Sequence, residues 1–289
     1  MFKPIQQEVV PEILKEDWSA IHKRHVVDLK KKPPHPPLAI SVGVDEYDYN
    51  GIYYPLRFGT FGNISMIKGE EKSRKSFLKS LLLACAIGGK ANNFSDDIRG
   101  HELEDKYIFD IDTEQGEYDV YLNAIRIPKM VGATPPNYIP VQLRDRKKEE
   151  IRGYLDWLFL ESEFRNKLGI VSIDGYVDCI QDFNSQKESD DFTRDLMKWS
   201  SVSKAHITGI LHLNPGTDKA RGHLGTILQQ KCETVATIKD QGSFSEVICS
   251  KGRGKKWQEF TIRINNDWLP YVSNDQVEVE PPKVIAPKF

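Results

Sequence analysis

Cysteine is scarce and scattered: Cys85, Cys179, Cys232 and Cys249 lie far apart and form no CxxC pair. That spacing excludes a zinc ribbon and a disulfide framework, and it fits a reducing cytoplasm. Long apolar runs are also missing, since the longest, Leu81 to Gly89, is too short to cross a bilayer. The opening Met-Phe-Lys-Pro-Ile-Gln-Gln-Glu has no basic-then-apolar signal pattern. A membrane partner is therefore not expected. Neither charge sign dominates: 40 Lys and Arg stand against 42 Asp and Glu, a net −2. A histone-like cationic surface is excluded, whereas a local basic channel is not. No internal repeat occurs.

What is present is ordinary for a soluble globular chain, with 39% hydrophobic, 28% charged and 10% aromatic residues. At 289 residues it can bury one large α/β core with an arm. Val10 to Leu29 has helical spacing (Ile13, Trp18, Ile21, Val26) before Lys30-Lys-Lys-Pro-Pro-His-Pro-Pro37 breaks it. Residues 1–37 thus read as a helix on a stiff, Pro-rich spacer, 38–272 as the main domain, and 273–289 as a loose tail.

In the main domain, β-rich runs come first: Leu38–Val42, Gly51–Tyr54 and Asn63–Lys68. An apolar helix then spans Ser76 to Gly88. The runs Lys106–Asp112, Leu168–Asp174 and Ala205–His212 alternate with helical stretches at about 117–126, 147–165 and 189–203. This order predicts an α/β fold with a mostly parallel sheet flanked by helices. After Gly222 the strands Glu233–Ile238, Phe244–Cys249 and Phe260–Ile264 follow one another through turns, as antiparallel strands at a sheet edge do.

Between the third strand and the apolar helix lies Gly69-Glu70-Glu71-Lys72-Ser73-Arg74-Lys75-Ser76. A phosphate loop of the form GxxxxGK[ST] turns backbone N–H groups onto phosphate oxygens, neutralises charge with its Lys and holds Mg²⁺ with its Ser or Thr. Gly69, Lys75 and Ser76 fit, and Arg74 stands at the second glycine. Taken alone, a Lys-Ser pair before an apolar helix also reads as a solvated helix start. The order of the other elements favours the phosphate loop.

Asp110-Ile-Asp-Thr-Glu114 ends a strand, where a carboxylate can face the crevice above the sheet and Glu114 can orient an attacking water. Ile170-Val-Ser-Ile-Asp174 is an apolar strand ending in an Asp suited to Mg²⁺. The strand through Ile210 ends at His212 and Asn214, either of which could sense a terminal phosphate. Lys251-Gly-Arg253 sets two cations in a tight turn, either a solvated hairpin tip or a pair offered to a neighbouring subunit.

Taken in order, these elements resemble the RecA-like P-loop ATPases, and most the plasmid RepA and DnaB-type replicative helicase branch. The match is to G-x-x-K-S-G-K-S at all but Arg74, and it spans about Ile64 to Ile264. The resemblance implies a RecA-like P-loop NTPase with ATP and Mg²⁺ as cofactors. It implies nucleotide contacts from Gly69, Lys72, Ser73, Arg74, Lys75, Ser76 and Phe77, with Ser76 and Asp174 on the metal. Lys75, Glu114, Asp174 and His212 would be catalytic, Lys251 and Arg253 a finger acting in trans, and Asn214 and Arg221 sensor or coupling residues. It further implies a homo-oligomer, usually a hexameric ring, with single-stranded DNA and replication or mobilisation proteins as partners. The short segment ahead of Leu38 suits a loader or mobile-element ATPase as well as a full helicase, and its helix could dock on a neighbouring subunit.

Arg74 leaves two outcomes open. It either reshapes the loop, giving a nucleotide-binding switch or scaffold with little hydrolysis, or adds a phosphate contact. A P-loop phosphotransferase is less favoured, because no arginine-rich lid segment is evident. Of two candidate DNA-contacting stretches, Asn214–Arg221 and Gln181–Lys187, the second is acidic and reads as a plain surface loop.

Overall fold

The computed structural model describes residues 17–31, 34–45, 54–214, 217 and 220–273. The chain divides into two compact units, residues 1–35 and 36–289. In the first unit, helix α1 (Trp18–His25) is capped by Asp17, whose carboxylate accepts the N–H groups of Ser19 and Ala20 at 3.1 Å each. None of its side chains is buried. The earlier turns of the expected helix lie outside the described residues.

The second unit opens with β1 (Leu38–Asp45), β2 (Tyr54–Thr60) and β3 (Ile64–Gly69), followed by α2 (Lys75–Ile87). Next come β4 (Ile98–Gly100), β5 (Tyr107–Asp112), α3 (Glu117–Ala124), α4 (Arg126–Val131), β6 (Tyr138–Gln142) and α5 (Lys148–Asp156). The remainder is β7 (Leu168–Asp174), α6 (Gln186–Ser203), β8 (His206–His212), α7 (Gly222–Lys231), β9 (Thr234–Asp240), β10 (Ser245–Gly252), β11 (Phe260–Ile264) and β12 (Pro270–Ser273).

Nine strands form one sheet in the order β12-β11-β10-β9-β3-β8-β7-β5-β6. The six from β9 to β6 are parallel, and β10, β11 and β12 continue the edge antiparallel. This is the α/β architecture expected of a RecA-like fold. Strand β3 lies between β8 and β9, so the loop after Gly69 opens at the middle strand of the nine-stranded sheet.

Alternation along the strands divides the core between the two faces. Ile67, Ile108, Ile170 and Ile210 pack with Leu78, Leu81 and Leu82 of α2 and Ile127 and Met130 of α4. Met66, Phe109, Val171 and Ile207 face the other way, onto Leu155 of α5, Phe192 and Trp199 of α6 and Leu224 of α7. The same period-two rule puts Asp110 and Asp112 on the α2 face with Ile108, and Asp174 there with Ile170.

Several local elements differ from the sequence expectation. Strands β1, β2 and β4 make a separate three-stranded antiparallel sheet, ordered β2-β1-β4, whose Ala39, Ile40 and Phe58 pack into the α2-side core. Residues 51–53 of the expected second strand lie outside the described set. The stretch 117–126 divides into α3 and α4, with Pro128 in the first turn of α4, where a missing N–H costs little. The stretch 147–165 is α5 followed by a π turn, Trp157–Glu161. Helix α7 fills Gly222–Lys231, a stretch to which the sequence assigned no element, ahead of the expected strand at Glu233–Ile238. The expected tail beyond Ser273 lies outside the described residues. Among the described residues no helix is long and apolar enough to cross a membrane.

Candidate nucleotide site

Gly69 ends β3 in tight surroundings. A Cβ there would lie 2.5 Å from Ser73 Oγ and 2.7 Å from the Ile238 carbonyl, so a side chain would push the loop off the sheet. The loop closes on itself through Ser73 Oγ, which donates to the Glu70 carbonyl at 2.8 Å. Lys72 and Arg74 both adopt positive φ, 61° and 71°, and Arg74 leads directly into α2. A β-carbon in the left-handed region costs about 1 kcal/mol, which a glycine avoids.

The Arg74 side chain, which lines the cleft, reaches the β9–β10 hairpin. It donates to the Phe244 carbonyl at 3.0 Å and to Ser245 Oγ at 2.9 Å, and it also bonds Asp240 and the Gly242 carbonyl. Ser245 Oγ in turn donates to the Ser73 carbonyl at 3.3 Å. Arg74 and Ser245 thus tie the loop to the β9–β10 hairpin.

Lys75 begins α2, and its buried ammonium donates to the Glu70 carbonyl. Burial lowers its pKa, against the pull of Asp174, Glu114, Glu71 and Glu70. One residue on, Ser76 Oγ donates to Asp174 Oδ2 at 3.2 Å. Asp174 ends β7 almost fully buried; burial pushes its pKa up, and Lys79 pulls it back.

Glu114 follows β5 on a turn that Asp112 builds by accepting the N–H groups of Glu114 and Gln115 at 3.0 and 2.8 Å. Its Oε1 lies 3.5 Å from His212 Nε2 at the end of β8. The hydrogen bond from His212 is the main reason its pKa is lowered, ahead of burial, which opposes the shift, and attraction to Lys75. A Cβ on Gly175 would lie 2.8 Å from Glu114 Oε1, so this glycine leaves room for the carboxylate.

These groups share one cleft of about 360 Å³ at the C-terminal edge of the sheet. It is lined by Lys72, Arg74, Lys75, Ser76, Phe77, Glu114, Asp174 and His212, together with Gln115, Asn123 and Arg126. Gly69 and Ser73 shape the loop beneath. The three added residues carry no sequence motif. The Arg126 guanidinium sits 3.8 Å from the Phe77 ring centroid and donates to Asn123 Oδ1 at 2.6 Å. Burial pushes the pKa of Arg126 down to about 10, so it stays cationic at neutral pH.

Besides Gly69 and Ser73, four expected residues do not line this cleft. Arg221 packs over Phe183, 4.8 Å from the ring, and its N–H bonds the His212 carbonyl at 3.0 Å. The Asn214 carbonyl accepts from Thr217, and most of the loop between Asn214 and Arg221 lies outside the described residues. Lys251 and Arg253 sit at the opposite edge of the sheet. Gly252 pairs with Thr234 and Gly69 with Ile238. Four residues of strand separate these levels, about 13 Å at 3.3 Å per residue. Arg253 is held there by bonds to the Glu233 and Lys231 carbonyls at 2.8 and 3.0 Å.

The donor set suits Mg²⁺ in the presence of a polyphosphate: one hydroxyl and one carboxylate, both hard oxygens, already within hydrogen-bond reach of each other. Among the described residues no group of three or more His, Cys, Asp or Glu side chains forms a self-sufficient metal site.

No family model matches the chain, and no curated protein does. Among solved structures it is similar to one described as an ATPase domain, at 14% identity and a TM-score of 0.49, over 71% of this chain and 82% of that one. At that level the likeness says nothing of this chain's activity.

Proposed function

We propose that this chain is a RecA-like P-loop ATPase that binds Mg²⁺ and ATP in the cleft after β3. The observation that carries the reading is convergence. Lys75 and Ser76 from α2, Glu114 after β5, Asp174 at the end of β7 and His212 at the end of β8 line one cavity. Each alone has an ordinary structural explanation, whereas their meeting beside a helix N-terminus does not.

In this reading the loop N–H groups and Lys75 bind the phosphates, and Phe77 and Arg126 wall the adjoining part of the cleft. Ser76 and Asp174 would hold Mg²⁺, which when bound neutralises phosphate charge. Glu114, ionised and turned toward His212, orients and deprotonates the attacking water. His212 is placed to register the terminal phosphate. Lys251 and Arg253, facing away from their own cleft, suit a role at a neighbour's site, which makes the active form a homo-oligomer, on the family analogy a hexameric ring. Single-stranded DNA, replication or mobilisation partners and a cytoplasmic setting belong to the same proposal.

The test is steady-state ATP hydrolysis with and without single-stranded DNA, alongside mass measurement with an ATP analogue. The expected result is turnover that Lys75→Ala abolishes, and subunit association that the analogue promotes. A strict monomer at all concentrations would remove the in-trans role. A second reading, a nucleotide-held scaffold with little turnover, draws on the pinned conformation of Arg74. Tight nucleotide binding with negligible hydrolysis in the parent would favour it.

A further inference from the structure

A second lysine lies beneath the cleft, one turn beyond Lys75 on α2. Lys79 is 2% exposed, and its ammonium sits 2.9 Å from Asp110 Oδ1 and 3.4 Å from Asp174 Oδ2. Asp110 has a partner of its own, since the Tyr138 hydroxyl donates to Asp110 Oδ2 at 3.0 Å. Asp112 is the third buried carboxylate facing the ammonium from β5. Burial would drive Lys79 toward neutrality, but Asp110, Asp174 and Asp112 together overturn this and raise its pKa, so it is a cation at any physiological pH.

The contact with Asp174 is specific to one atom. Oδ2 of Asp174 receives both Ser76 Oγ and Lys79 Nζ, two groups three residues apart on one helix. When a metal draws the Ser76 hydroxyl to itself, Lys79 still fixes the carboxylate. It also places a positive charge beside the carboxylate that the metal must share.

We propose that Lys79 is a positioning residue for the metal-binding carboxylate, holding Asp174 aimed at Ser76 and lowering the affinity of the site for Mg²⁺ so that metal is retained only with nucleotide. This inference rests on the ATPase reading. A fixed cation next to a divalent site opposes metal binding by direct repulsion, and a low-dielectric interior enlarges the effect. An ion pair serving α2 packing alone would need Asp110 but not Asp174.

The experiment is a titration of Mg²⁺ against binding of a fluorescent ATP analogue, with a parallel titration in EDTA. Three proteins are compared: the parent, Lys79→Met/Asp110→Asn and Asp110→Asn. The double variant removes one positive and one negative charge together, so the net charge around Asp174 is unchanged. Its half-saturating Mg²⁺ should fall about tenfold, with metal-free affinity for the analogue unchanged within twofold. Asp110→Asn, which leaves Lys79 to Asp174, should move the Mg²⁺ requirement the opposite way, several-fold upward. Unchanged Mg²⁺ dependence in both variants, or a shift of the same sign in both, overturns the proposal while leaving the ATPase reading intact. Absence of any Mg²⁺-dependent binding in the parent refutes that reading, and this inference with it.

Discussion

Glu114 and His212 meet across the cleft at 3.5 Å although their strands, β5 and β8, are not neighbours. Strand β7 runs between them, and Gly175, just past its end, leaves the space they share. The hydrogen bond from His212 holds Glu114 below its ordinary pKa, so the carboxylate remains a base at pH values where a free glutamate would be partly protonated. Replacing His212 by Ala removes the largest of the depressing contributions. The acid limb of a pH profile of kcat/KM should therefore move to higher pH. An unmoved limb would show that the two groups do not interact in the working protein.

Gly175→Ala tests the same pair sterically. The added methyl would meet Glu114 Oε1 at 2.8 Å. The expected outcome is turnover reduced about tenfold or more, as misplacing a catalytic group by an ångström or so does. Nucleotide affinity should stay within a few-fold of the parent.

Arg74 separates two contributions that ordinarily coincide. Its left-handed backbone is a cost that glycine relieves, and its guanidinium is a clamp on the β9–β10 hairpin that glycine loses. The clamp is partly exposed, so its ion pair with Asp240 is worth no more than about 1 kcal/mol. Arg74→Gly should stay within about 1 kcal/mol of the parent, because relief and loss offset each other. Arg74→Ala loses the clamp, keeps the strain, and should fall about 1–2 kcal/mol below the parent. Denaturant melts give the order, and hydrogen exchange at residues 240–245 should quicken in both variants.

Asp112 supplies a prediction about stability and pH. Burial raises its pKa to about 6, with Asp174 adding to the shift and Lys79 opposing it. A carboxyl raised on folding contributes stability below its unfolded value, and that stability is lost as pH rises through the folded value. Asp112→Asn keeps an acceptor for the Glu114 and Gln115 N–H groups without the charge. It should melt higher than the parent above about pH 6, and the difference should close toward pH 4. A constant difference across that range would place the effect elsewhere.

Much of this was legible because position along an element carries the information. Lys75, Ser76 and Asp174 stand where a strand gives way to a loop or a loop to a helix, and the β10 residues Ser245, Val247 and Cys249 alternate as a strand with one covered face must. Lys79 was not legible in this way. Along the sequence it is a charge on an apolar helix, which usually means a solvated face, yet its four-residue spacing from Lys75 was the available signal. Asp110 was equally visible as a strand residue and equally silent about its partner, because the pairing runs between β5 and α2. The cleft wall of Gln115, Asn123 and Arg126 obeys no spacing rule, since α3 and α4 are set by packing. Strand β6 carries Pro140 and no fully buried residue, so its pattern never rose above that of a loop.

In the proposed ATPase the cleft holds nucleotide through Lys75, while Glu114 acts only on the chemistry. Equilibrium titration of a fluorescent ATP analogue with Mg²⁺, in the parent, Lys75→Ala and Glu114→Gln, separates these roles. The parent and Glu114→Gln should bind alike, and Lys75→Ala should bind at least tenfold more weakly. Equal affinity in all three proteins, or no binding in the parent, would contradict the account.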